Sequence, residues 1–68
     1  MSDPVYKIIN VVGSSAESYE AAIRNAVEQA TKTLEDLKWF EVTEFRGGFF
    51  DKKVVFQATV KIGFKLKD

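Results

Sequence analysis

Cysteine and histidine are both absent from the 68 residues. No disulfide can staple the fold, and a structural zinc site is excluded, since its ligands are drawn mainly from those two residue types. Net charge is missing too: ten basic residues cancel ten acidic ones. Phosphate neutralisation supplies most of a nucleic-acid binder's affinity, so a chain without a basic surplus or stripe is not expected to bind nucleic acid. No apolar run approaches the ~20 residues that span a bilayer. The start, Met1-Ser2-Asp3-Pro4, lacks the charged and apolar regions of a signal peptide, which makes a cytoplasmic location without membrane association the expectation. Repeats, linkers and low-complexity tracts are lacking as well, so residues 1–68 read as one domain. A monomer this small hides only roughly 60% of its unfolded surface. With disulfides and zinc set aside, association between copies is the stabiliser left.

What is present has clear periodicity. Val5 to Val12 is rich in β-branched residues and reads as a strand, ended by Gly13-Ser14-Ser15. Ser14 with Glu17 fits a capping box, and Ser15 serves nearly as well as the cap. Tyr19, Ala22, Ile23, Ala26, Val27, Ala30, Leu34 and Leu37 then trace one face of a helix. Glu20–Arg24 and Glu28–Lys32 stand in the favourable i, i+4 order on its solvated side, worth ~0.3–0.5 kcal/mol each. Trp39 to Arg46 reads as a second strand, Gly47-Gly48 as the opening of a turn that closes near residues 51–53, and Val54 to about Lys67 as a third strand. From Val54 to Leu66 apolar side chains alternate with polar ones, the mark of a sheet with one buried face. The fold class is therefore α+β, in the order β-α-β-β. A three-stranded antiparallel sheet wraps one helix, and the first and third strands pair.

One helix covers one face of such a sheet. In the second strand Phe40 and Val42 suit that face, which leaves Trp39, Glu41, Thr43 and Phe45 pointing away. Gln57 points away by the same parity. A lone tryptophan either closes the end of a core or, on an outward face, marks an interface or a ligand platform. Gln57 is either an exposed strand residue or an amide able to donate and accept at the imide edge of a heteroaromatic ring. Arg46 is either a charge flanking a turn or a group that stacks on a ring or meets a phosphate.

Catalytic machinery is not visible. Ser14 and Ser15 have no histidine partner, and the strand period sets Glu41 and Glu44 on opposite faces, apart as acid and base. Gly47-Gly48 lacks phosphate-loop spacing and precedes no helix. No enzymatic activity is expected.

Three segments in order carry a resemblance: Val5-Tyr6-Lys7-Ile8-Ile9 with Val12-Gly13-Ser14-Ser15; Ala22-Ile23-Arg24-Asn25-Ala26 through Lys32-Thr33-Leu34 to Trp39-Phe40-Glu41-Val42; and Arg46-Gly47 followed by Phe56-Gln57-Ala58-Thr59-Val60-Lys61-Ile62-Gly63-Phe64. At this spacing, over residues 5–66, the chain resembles the dodecin family, of the bacterial type. The resemblance implies a hollow homododecamer that stores and buffers flavin, with stacked flavin pairs on its two-fold axes. Trp39 would stack on the isoalloxazine ring and quench it by donating an electron to the excited flavin. Gln57 would hydrogen-bond the polar edge of the ring, and Arg46 would belong to the pocket. Flavin mononucleotide (FMN) is the implied ligand, with riboflavin or FAD as related alternatives. Some bacterial members also hold coenzyme A through basic residues near three-fold contacts, and Lys7, Lys32 and Lys65 stand at comparable places. Lys65 stands where the family often has arginine, and Gln29 where relatives can carry a base, which argues against coenzyme A here.

Two other readings compete with a flavin store. In one, Trp39 and Phe45 only bury themselves between subunits of a structural or interaction module. In the other, bound flavin is a redox cofactor, but a tightly stacked ring leaves little room for a substrate.

Overall fold

The computed structural model describes residues 3–67; the reading of Met1 and Ser2 as part of a start without a leader lies outside them. Strand β1 spans Tyr6–Ser15, helix α1 Tyr19–Thr33, strand β2 Leu37–Phe50 and strand β3 Lys53–Lys65. The sheet order is β1-β3-β2, with both pairings antiparallel. This is the expected β-α-β-β architecture.

Boundaries moved where pairing outcompeted local propensity. Ser14 and Ser15 do not cap the helix, because their backbones pair with Gln57 and Phe56 in the sheet. The cap is Ser18, whose Oγ accepts the Ala21 N–H at 3.0 Å. Ser15 Oγ instead accepts from the Glu17 N–H at 2.9 Å and shapes the turn before the helix. At the other end Leu34 is already the C-cap, donating to the Ala30 carbonyl at 3.0 Å, and Leu37 opens β2 rather than extending the helical face. Of the two helix ion pairs expected, Glu20–Arg24 forms at 3.3 Å. Glu28–Lys32 is not among the ion pairs of the described residues.

Gly47 and Gly48 are not a turn. They pair with Phe56 and Val55 inside a long hairpin, whose two-residue loop is Asp51-Lys52, with φ of 50° and 64°. Two consecutive left-handed residues make the type I′ loop, which matches the twist of the flanking strands but suits Asn-Gly best. Lysine carries a Cβ into that region, at a cost of about 1 kcal/mol. Lys52→Gly is therefore expected to raise stability by ~0.5–1 kcal/mol, read as a higher urea midpoint at unchanged protein concentration.

The core is small. Ala22, Ala26 and Ala30 lie against Ala58, Val60 and Ile62, with Ile9, Val11, Ile23, Val27, Leu34, Leu37 and Val42 half-buried around them. Alanine at three turns of the helix lets the backbones approach closely. At Gly13 the approach is closest: a Cβ there would collide with the Ala22 carbonyl and lie 2.8 Å from the Ala26 Cβ.

The described chain is long and thin, 54 × 20 × 15 Å, with a radius of gyration of 14.1 Å, where about 11 Å is usual for this length. It exposes 5200 Å², about a fifth more than the ~4300 Å² of an ordinary monomer of its mass. Extra exposed area on a chain with so small a core is the physical signature of a subunit.

Candidate functional site

Directly opposed residues of antiparallel strands share a face, so the pairing fixes what lies on the side away from α1. Across the sheet, that side carries the rows Ile8–Gly63–Trp39, Asn10–Lys61–Glu41, Val12–Thr59–Glu44 and Ser14–Gln57–Arg46. Trp39 and Gln57 thus point away from the helix, as the strand period predicts.

Phe45 does not. The register slips between Val42 and Glu44, leaving Thr43 as an extra residue. A bulge of this kind reverses the parity of everything after it. Phe45 consequently opposes the buried Ala58 and meets the helix residue Tyr19, ring centroids 5.2 Å apart. The same slip brings Glu44 onto the face of Glu41, which corrects the expectation that these two carboxylates lie on opposite sides. It also delivers Arg46, which simple alternation would have turned toward the helix, to its place beside Gln57.

Trp39 occupies a space that glycine leaves for it. A Cβ on Gly63 would run into the benzo ring of the indole, with Cη2 at 2.6 Å. The ring therefore lies across the Gly63 backbone, braced at its edge by Tyr6 at 5.2 Å and 65°, and it keeps 40% of its surface exposed. An aromatic held from below and open above is a stacking platform. Gly63→Ala is expected to displace the indole while keeping the sheet. The check is a shifted Trp39 emission maximum with an unchanged far-ultraviolet dichroism spectrum.

Arg46 is held in place. Its Nη2 donates to Thr59 Oγ1 at 2.6 Å and to Glu44 Oε1 at 3.0 Å, the latter an ion pair with the arginine side chain 39% exposed. Thr43 Oγ1 donates to the Thr59 carbonyl at 3.3 Å, tying the bulge to β3. Beside this row Ser14, Gly48, Phe49, Phe50, Val55 and Gln57 border a hollow of about 340 Å³. Gly48 contributes to it by having no side chain.

The structure joins Arg46 and Gln57 but keeps Trp39 apart from them. Gly63, which Trp39 opposes, is six residues from Gln57 along β3, about 20 Å at strand rise. One flat ring stacked on Trp39 cannot reach Gln57 of the same chain. Of the three lysines, Lys65 opposes Tyr6 on the outward face, Lys7 opposes Phe64 on the helix side, and Lys32 is exposed in the last helical turn. They share one end of the molecule but not one face. Among the described residues, no three acidic side chains gather as a metal site would require, and no helix is long and apolar enough to cross a membrane.

The roles of Gly63 and Thr59 escape the sequence, and Glu44 and Gly48 are legible there only as a lone carboxylate and part of a turn. Register alone reveals Gly63 as the floor under Trp39, and the polar side of β3 hints at Thr59.

Set against known proteins, the sequence pattern of the family described as Dodecin matches residues 5–67. A dodecin from Thermus thermophilus is 45% identical over 65 residues, covering 94% of each chain. The solved dodecin of Streptomyces coelicolor superposes with a TM-score of 0.88 at 43% identity, covering 100% of this chain and 99% of that one. A more distant relative, the calcium dodecin of Mycobacterium tuberculosis, is 28% identical over 64 residues, covering 93% of this chain and 90% of its own.

Proposed function

The chain belongs to the dodecin family, and from that premise we propose that it is a flavin store: a shell of twelve copies that sequesters and quenches FMN as stacked pairs. The observation that carries this reading is the indole of Trp39, seated on Gly63 and open on its other side. Two such platforms from different copies, facing each other, leave a slot bounded by aromatic rings. Stacking is worth roughly 1–3 kcal/mol per ring, so two indoles around two flavins contribute several kcal/mol before any hydrogen bond.

The separation of Trp39 from Gln57 fits this arrangement. The site takes its platform from one copy and its polar edge from another, so a monomer holds only half a pocket. Gln57 supplies a donor and an acceptor for the ring's polar edge. Arg46 supplies a fixed cation for a phosphate-bearing flavin, its planar fork already oriented by Thr59 and Glu44. FMN is favoured over riboflavin on that ground.

A catalytic role is not part of the proposal. Glu44 is held in an ion pair with Arg46, and no histidine is present to act as a partner base. Coenzyme A is set aside because Lys65 stands where the family often has arginine and Gln29 where relatives can carry a basic residue. The reading in which the aromatics form only subunit contacts keeps Phe45, which meets Tyr19 of its own chain yet stays 59% exposed.

The test is a titration of FMN with purified protein, following flavin fluorescence alongside light scattering. The expected result is progressive quenching with saturation near one flavin per chain, in a particle of about twelve subunits. A flat titration with an intact particle would reject flavin storage in favour of a structural shell.

A further inference from the structure

On the helix side of the sheet, α1 begins at Tyr19, whose ring meets Phe45 at 5.2 Å and Phe56 at 5.0 Å. Beyond that point the β2–β3 arm has no helix of its own chain over it. Phe49, on this same face opposite Val54, is 84% exposed, and Val54 is bare beside it. At the other end of the face a complementary defect appears. The helix leaves Phe40 of β2 half-exposed, and Ile23, Val27 and Phe40 line a groove of about 390 Å³ with Glu20, Arg24 and Glu28 around it. One end of the molecule offers apolar side chains without a cover, and the other offers an apolar trough without an occupant.

We propose that the arm of one copy docks into the α1–β2 groove of a second copy, with Phe49 as the anchor. Charge supports the match. The arm tip carries Asp51, Lys52 and Lys53, a net +1, and neither lysine is ion-paired among the described residues. Around the groove Glu20, Arg24 and Glu28 sum to −1; Arg24 is taken up by Glu20, and Glu28 has no ion-pair partner among the described residues. The contact joins two different surfaces, so each copy both gives an arm and receives one, and the chain of contacts ends only when a ring closes.

Because the sequence has no cysteine, the contact can be tested by one engineered pair, Phe49→Cys with Val27→Cys. Within a single chain these positions cannot meet: the groove lies at Phe40, nine residues from Phe49 along β2, or about 30 Å. A disulfide needs Cα atoms roughly 4.4–6.8 Å apart, so any bridge between the two must join copies. Mild oxidation of the double variant is expected to give a ladder of covalent multimers on a non-reducing gel, collapsing on reduction, while each single variant gives no more than a dimer. No ladder from the double variant, or the same ladder from a single one, overturns the proposal. A charge exchange gives a second reading by light scattering. Lys52→Glu with Lys53→Glu is expected to shrink the particle, and adding Glu20→Lys with Glu28→Lys is expected to restore it. A particle of unchanged size after the first pair of changes, or one that the second pair does not rescue, counts against docking.

Discussion

FMN added to the Trp39→Ala variant is expected to stay fluorescent and to bind roughly five- to 150-fold more weakly than to the parent chain. The indole supplies the stacking surface, worth roughly 1–3 kcal/mol for each ring it meets, and each 1.4 kcal/mol is a factor of about ten in affinity. Alanine removes that surface and leaves a depression over Gly63 bordered by Tyr6. Assembly is expected to survive, because the arm and the groove lie on the opposite face of the sheet. Trp39→Phe separates the two roles of the ring: phenylalanine stacks but is a poor electron donor. That variant is expected to retain flavin in equilibrium dialysis while quenching it less. Full quenching in Trp39→Ala would sink the assigned platform.

The second large effect falls on the fold. Gly13→Ala is expected to destabilise the protein by about 2–3 kcal/mol, toward the upper end of what overpacking a core costs. The new methyl group would strike the Ala22 carbonyl, which belongs to the helix backbone and cannot swing aside as a side chain would. The helix must then lift off β1 and disturb its contacts with Val60 and Ile62 as it does. On a total stability of only ~0.05–0.15 kcal/mol per residue, such a loss is a large fraction. The urea midpoint, measured at one fixed subunit concentration because association feeds into stability, is the check. Gly47→Ala is the matched control: a Cβ there meets nothing closer than 4.0 Å, so a midpoint change of the same size in both variants would refute the steric argument.

The contrast between those glycines shows which parts of the structure were legible in sequence. Element order and the outward placement of Trp39 followed from hydrophobic period, because each depends on residues within one uninterrupted stretch. The pairing of the first and third strands followed from the single helix crossing that brings them into one sheet. The alternation from Val54 to Leu66 was long enough to fix the faces of β3 without ambiguity. Phe45 and Glu44 were misplaced together, for a single reason. Period-2 counting assumes no inserted residue, and nothing about Thr43 announces one. The turn was misplaced because Gly47-Gly48 has the stronger intrinsic preference, yet their partners Phe56 and Val55 hold them in the ladder, and Asp51-Lys52 bends instead. The helix cap moved from Ser14 to Ser18 by the same competition, in which sheet pairing outweighed a local motif. Gly63 could not be read as the floor of a platform, since that role depends on which residue faces it across the strand. Likewise, the distance that keeps Trp39 and Gln57 apart within one chain is invisible until the register is known.

The slip at Thr43 divides the sheet's exposed surface into two parts that answer to different constraints. Upstream, where Trp39 lies, side-chain direction is anchored by the core; downstream, where Arg46 and the arm lie, it depends on one supernumerary residue. Substitutions can therefore accumulate on either part, but a gain or loss of a single residue between Val42 and Arg46 would exchange the polar and aromatic sides of the whole arm in one step. Length in that short stretch is held more tightly than identity.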